Sequence, residues 1–109
     1  MKINAKIQFI DEKIKKEFKI LRTSNNKELY RALNKALRKI EDNAFSGIQI
    51  PKRLIPPEYL KKYNIHNLWK YNLSKSWRLL YSIESNEIIV IAIILEWMNH
   101  KEYERKFRY

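Results

Sequence analysis

The chain of 109 residues has no cysteine, one glycine, three prolines and two histidines. Without cysteine there is no disulfide, no thiolate nucleophile and no cysteine-built zinc site. The histidines, His66 and His100, stand far apart in sequence, so a histidine metal site is not expected and the fold has to stand on packing alone. A lone glycine, Gly47, leaves no glycine-rich loop to cradle a phosphate. The longest apolar run, residues 88–95, is well short of the roughly 20 residues that cross a bilayer. The N-terminal "MKINAKIQFIDEK" alternates, where a signal peptide would present a positive end and then an apolar block. These absences predict a soluble, cytoplasmic protein for which no membrane partner, metal or cofactor is expected.

Acidic residues are also short: 12 against 23 lysines and arginines, a net charge of +11 and an isoelectric point near 9.9. Such an excess attracts polyanions, whether RNA, DNA, an acidic protein or an anionic membrane surface. The total does not choose among them, but its distribution is informative. Residues 51–80 carry Lys52, Arg53, Lys61, Lys62, Lys70, Lys75 and Arg78 against the single acid Glu58. Between residues 11 and 42 acids and bases interleave, as on an ordinary solvated helix face. The segment 51–80 is therefore the candidate for anion contact.

What is present builds one core. Hydrophobic residues make up 45% of the chain, enough for a single domain over residues 1–109. Ile3, Ala5, Ile7 and Phe9 alternate with polar residues, which predicts a half-buried strand with its odd positions inward. Asp11 can cap a helix carrying Ile14, Phe18 and Leu21. Asn25 and Glu28 resemble a capping box ahead of a second helix with Leu29, Leu33, Ala36, Leu37 and Ile40 on one stripe.

Gly47 and Pro56-Pro57 mark a basic, exposed connector in which "PPEYLKKYN" suits a short helix with proline in its first turn. From Asn67 the period returns to two. Trp69, Tyr71, Leu73, Trp77, Leu79, Tyr81 and Ile83 share the apolar face, and Lys70 and Arg78 emerge on the other. After a turn at "ESN", residues 88–95 read as a strand covered on both faces in the middle of the sheet; a buried helix is the alternative, disfavoured by the β-branched density. The fold class is α+β, ordered strand-helix-helix-strand-strand-strand with a short C-terminal helix. A helical hairpin packs on a small, mostly antiparallel sheet whose other face is left open for a ligand.

The stretch "NHKEYERKF" carries two readings. Asn99 with Glu102 can cap a helical turn, making His100 a first-turn residue and Tyr103 a packing neighbour of Phe107. Alternatively His100 and Tyr103 belong to a proton-transfer site. Both can hold at once.

At "NLWKYNLSKSWRLLYSI" followed by "HKEYE", the chain resembles the RelE/ParE superfamily of toxins, most sharply in the strand Trp77-Arg78-Leu79-Leu80-Tyr81. The resemblance implies the toxin of a type II toxin–antitoxin module, a ribosome-dependent endoribonuclease that cleaves mRNA without a metal ion. It places a phosphate-contacting arginine at Arg78, a groove-lining cation at Lys70, and the C-terminal His-Lys-x-Tyr pattern at His100 and Tyr103. Asn72 stands where many relatives carry a second lysine. Lys52, Arg53, Lys61, Lys62, Asn72, Lys75 and Arg105 are the residues assigned to RNA contact. The implied partners are a cognate antitoxin, mRNA and the ribosome, with a monomeric free toxin and a toxin–antitoxin hetero-oligomer. ParE-like members instead inhibit DNA gyrase, which is the alternative; an inactive basic nucleic-acid-binding domain is a third.

The chemistry suits these residue types. Metal-free RNA cleavage needs a base for the 2′-hydroxyl, an acid for the leaving 5′-oxygen and cations for the charge on the phosphorane. Histidine titrates near neutrality at about 6.5, arginine offers a planar fork to two phosphate oxygens, and lysine adds charge or a proton. Tyrosine can orient the histidine, donate a hydrogen bond or stack on a base. Trp69, Tyr71, Trp77 and Tyr81 fall to the core by parity, and His66 has no assigned role.

Overall fold

A computed structural model of the chain describes residues 2–74, 76–86 and 88–108. The N-terminal alternation forms strand β1 (Lys6–Phe9), with Ala5 buried and Ile7 and Phe9 on the same core. Helix α1 (Glu12–Leu21) starts at Asp11, whose carboxylate accepts the Ile14 amide at 2.9 Å. That bond satisfies a donor with no partner inside the helix. Helix α2 (Lys27–Asp42) buries Leu29, Leu33, Ala36, Leu37 and Ile40, which 3.6 residues per turn gathers on one side.

The capping box at Asn25 and Glu28 does not form. The cap position falls on Asn26, which makes no side-chain cap bond, while Ser24 Oγ accepts the Asn26 amide at 3.0 Å. That turn starts the helix one residue later, so the spacing from cap to glutamate is lost.

The connector runs through short 3₁₀ turns at Ala44–Ser46 and Lys52–Leu54, a two-residue strand β2 (Ile48–Gln49) and helix α3 (Pro57–Tyr63), which opens on proline. Strands β3 (Trp69–Asn72), β4 (Trp77–Ser85) and β5 (Val90–Asn99) follow, and helix α4 (His100–Phe107) closes the fold. The sheet order is β1-β5-β4-β3-β2. The pair β1–β5 is parallel and the others are antiparallel. β5 lies between β1 and β4, as its apolar run predicts. It opens at Val90, two residues later than expected, because Asn86 Oδ1 captures the Ile88 and Ile89 amides at 2.8 Å each and leaves Ile88 91% exposed. Among the described residues, no helix is long and apolar enough to cross a membrane.

Each face of the sheet has its own core. The helical hairpin packs on Leu79, Tyr81, Ala92 and Ile94, with Trp69, Tyr71 and Trp77 around them. On the opposite face, Leu68, Leu80, Leu95 and Met98 are covered by Ile50, Ile55, Tyr59 and Ile65 of the connector and by Tyr103 and Phe107 of α4. Two expectations are corrected here: the second face is not open throughout, and the connector is not simply exposed. Its charges point outward, and although Phe45, Ile48 and Leu60 stay exposed, Ile50, Ile55, Tyr59 and Ile65, spaced to neither the helical nor the strand period, turn inward. Burying such a side chain is worth roughly 1.5–3 kcal/mol.

The cover stops short of one end of the sheet. There Asn72 pairs with Arg78, and the start of α4 forms the boundary.

Candidate functional site

Arg78 lies on β4 opposite Asn72 of β3 and Met98 of β5. Its Nη1 donates to the carbonyls of Ser74 at 2.9 Å and Trp77 at 3.0 Å, which anchors one side of the guanidinium to the β3–β4 turn. Its Nη2 lies 3.5 Å from His100 Nδ1.

His100 is held from three directions. Its amide donates to the Ser76 carbonyl at 2.6 Å, Asn99 Oδ1 accepts the Glu102 amide at 2.9 Å and so caps α4, and its Nε2 stands 2.7 Å from Glu104 Oε1. The cap and the placement of His100 coexist, as the two readings of this stretch allowed. An irregularity in the β4–β5 ladder decides which way the end of β5 faces. Leu80 pairs with Glu96 and Tyr81 with Ile94, leaving Leu95 as the extra residue. Past this bulge the even positions of β5 turn to the second face, so Met98 joins that core and His100 follows toward Arg78.

Lys70 pairs with Leu80 across β3 and β4, and its Nζ stands 5.1 Å from the centre of the Tyr103 ring, within cation–π range. Partial burial first, and then the charge of Arg78, lower the pKa of its ammonium. Gly47 sets the backbone beneath it. A β-carbon there would lie 2.6 Å from the Lys70 carbonyl and 2.7 Å from the Tyr81 hydroxyl, so only glycine lets β2 approach β3 this closely.

Tyr103 is buried at 4% exposure and stacks on Phe107 with ring centroids 4.4 Å apart. It offers no free ring face to a nucleotide base, so the stacking role considered from sequence is excluded by burial. Its ring instead forms a floor beneath Lys70.

The structure brings Lys70, Arg78 and His100 together and sets Tyr103 under them. Asn72 is exposed beside Arg78. Lys52 and Arg53 on the 3₁₀ turn, and Lys61 and Lys62 on the last turn of α3, are exposed on the cover over the second face, outside this cluster. Arg105 is exposed on α4, its carbonyl accepting Arg108 Nε at 3.2 Å. Lys75 lies outside the described residues, and His66 is exposed on the connector.

Sequence reasoning missed Glu104. Its signal was the spacing of four from His100 on a helix, which puts the two side chains on one face.

A hollow of about 430 Å³, lined by Ser76, Asn99, His100 and Lys101, opens beside the histidine. A larger one of about 480 Å³ lies at β1 and the start of α1, away from the lysine–arginine–histidine group. Among the described residues, no group of three or more His, Cys, Asp or Glu side chains stands together to hold a metal ion. The cluster has the parts to hold an anion between Lys70 and Arg78 and to exchange a proton at His100.

No family model matches the sequence, and no curated protein matches it. Among solved structures, the chain is similar to a YoeB/ParE toxin from Agrobacterium tumefaciens, with a TM-score of 0.59 over 87% of this chain and 98% of that one, at 9% identity. The likeness is one of fold. The α+β fold expected from the order of elements, and implied by the resemblance, is the fold observed.

Proposed function

We propose that this chain is the toxin of a toxin–antitoxin pair and that it cleaves mRNA on the ribosome without a metal ion. The observation that carries this reading is the 3.5 Å approach of Arg78 to His100 at the uncovered end of the sheet. It sets a phosphate-binding fork beside a group that moves protons near neutral pH. Arg78 holds the scissile phosphate with the N–H groups its backbone carbonyls leave unused. His100 takes the 2′-hydroxyl proton, and the 2′-oxygen attacks phosphorus. Lys70, whose ammonium is made a stronger acid by burial and by Arg78, protonates the departing 5′-oxygen. The requirement for a 2′-hydroxyl restricts the reaction to RNA. An acidic antitoxin segment would neutralise the basic groove and fold upon it.

The test is primer extension on an mRNA translated in a reconstituted system. Arg78→Ala and His100→Ala should each slow ribosome-dependent cleavage by about 10²-fold or more. Cleavage at the wild-type rate in both variants overturns the reading.

The exposed Asn72, where a second lysine would strengthen a nuclease groove, favours the gyrase alternative. Loss of supercoiling activity with translation unaffected would establish that reading instead.

A further inference from the structure

Glu104 stands where an RNA groove gains nothing from it. A carboxylate beside a phosphate-binding arginine repels the backbone that the groove attracts. Helix spacing and geometry nevertheless aim it at one atom: Glu104 Oε1 lies 2.7 Å from His100 Nε2, with the two side chains 64% and 47% exposed. The other nitrogen, Nδ1, points the opposite way, to Arg78. A carboxylate only accepts and a guanidinium only donates. The neutral imidazole that satisfies both carries its proton on Nε2 and a lone pair on Nδ1.

We propose that Glu104 is a positioning residue that fixes which nitrogen of His100 transfers the proton: Nε2 stays protonated on the carboxylate, and Nδ1 faces the groove as the base. The assignment rests on reading the groove as an RNA-cleaving site. In the reaction, the substrate phosphate draws Arg78 Nη2 away from Nδ1 and frees its lone pair. The 2′-hydroxyl proton moves to Nδ1 as the 2′-oxygen forms its bond to phosphorus. The bond from phosphorus to the 5′-oxygen breaks, and that oxygen takes a proton from the Lys70 ammonium. The products are a 2′,3′-cyclic phosphate and a 5′-hydroxyl. The imidazolium at His100, hydrogen-bonded to Glu104, and the neutral Lys70 then return to their starting states by exchange with water. Holding the ring in the tautomer that leaves Nδ1 as the base offsets the carboxylate's repulsion of RNA.

Two measurements on the full chain decide this. The first is a single-turnover cycle on ribosome-bound mRNA. Glu104→Ala should lower the rate of the chemical step about tenfold with half-saturation unchanged, and Glu104→Gln, whose amide oxygen still accepts from Nε2, should recover most of it. In a His100→Ala background, Glu104→Ala should change the rate less than about twofold, because the two residues act as a unit. Losses that multiply, or a change confined to half-saturation, overturn the proposal.

The second is nitrogen-15 NMR of the His100 ring at about pH 8.5, above the ordinary histidine range near 6.5. Wild-type protein should show a protonated Nε2 and an unprotonated Nδ1, and the two resonances should move toward each other in Glu104→Ala. Identical ring spectra in the two proteins overturn it. Should the wild type cleave no RNA, the proposed function fails while the ring spectra still decide the role of Glu104.

Discussion

The two faces of the sheet are built by different rules. On the hairpin side, α2 lays a stripe of leucine, alanine and isoleucine on the strands, and the deeply buried Tyr81 hydroxyl is fully used: it donates to the Ala44 carbonyl at 2.8 Å and accepts the Gly47 amide at 3.0 Å. On the other side an irregular connector and α4 supply the cover, and polar groups are trapped in it. The Tyr59 hydroxyl and Glu96 Oε2 are buried with no hydrogen-bond partner among the described residues. Lys106 reaches Glu96 Oε1 at 3.5 Å and lies 5.9 Å from the centre of the Tyr59 ring. Both faces are packed cores, but the irregular one leaves one end of the sheet uncovered, and the charged cluster sits there.

Removing packing tests the contrast most severely. Leu33→Ala in the hairpin core and Leu95→Ala in the second core should each cost about 2–5 kcal/mol in urea unfolding, since both are almost wholly buried. A loss under about 1 kcal/mol for Leu95→Ala would show that the connector is a loose flap and not a second core. Gly47→Ala should cost about 1–3 kcal/mol, because the new β-carbon meets the Lys70 backbone, which has little freedom to yield.

The two tyrosines then separate the faces chemically. Tyr81→Phe strands the Gly47 amide and the Ala44 carbonyl and should cost about 1–3 kcal/mol.

High pH should act through the same groups. Burial, and for Tyr63 also Glu96, pushes the phenols of Tyr63 and Tyr81 up to about 12, and burial together with Glu96 raises Tyr59 further. Each stays neutral in the folded chain while its unfolded counterpart ionises near pH 10. The stability they carry is complete below pH 10 and is lost as pH rises from about 10 through 12. The urea midpoint should fall across that window and stay flat just beneath it. The smallest effect belongs to Tyr59→Phe. It removes a buried hydroxyl that reaches no partner in hydrogen-bond geometry although the Glu96 carboxylate influences it, and should leave stability within about 0.5 kcal/mol of wild type, or raise it, while flattening the alkaline loss.

Legibility in the sequence follows the same division. The alternation of β1, the stripe of α2 and the parity of Trp69, Tyr71, Trp77 and Tyr81 are local periods, and local periods survive folding. Asn99 and Glu102 cap α4 as their spacing indicates, and the α+β fold followed from the order of these periods. By contrast, Ile50, Ile55, Tyr59 and Ile65 follow no period, so nothing in their order showed that they would close over the second face. For Tyr103 the spacing of four to Phe107 made the packing legible, and the two rings do stack; what spacing could not show is that Lys70 of a distant strand lies over the same ring.

By itself, then, the sequence determined the main helices and strands, though not the two-residue β2 or the 3₁₀ turns of the connector, together with the two-sided burial of β5, the excess of positive charge and the residue types of the site, because each depends on composition or on spacing along a single element. The tertiary structure decided which of those residues meet. The bulge at Leu95 turns the end of β5 toward the face carrying Arg78, the hydrogen bond from His100 to Ser76 ties α4 to the β3–β4 turn, and the cover stops before Asn72. These depend on pairing between distant strands, where one extra residue reverses the direction of every side chain that follows.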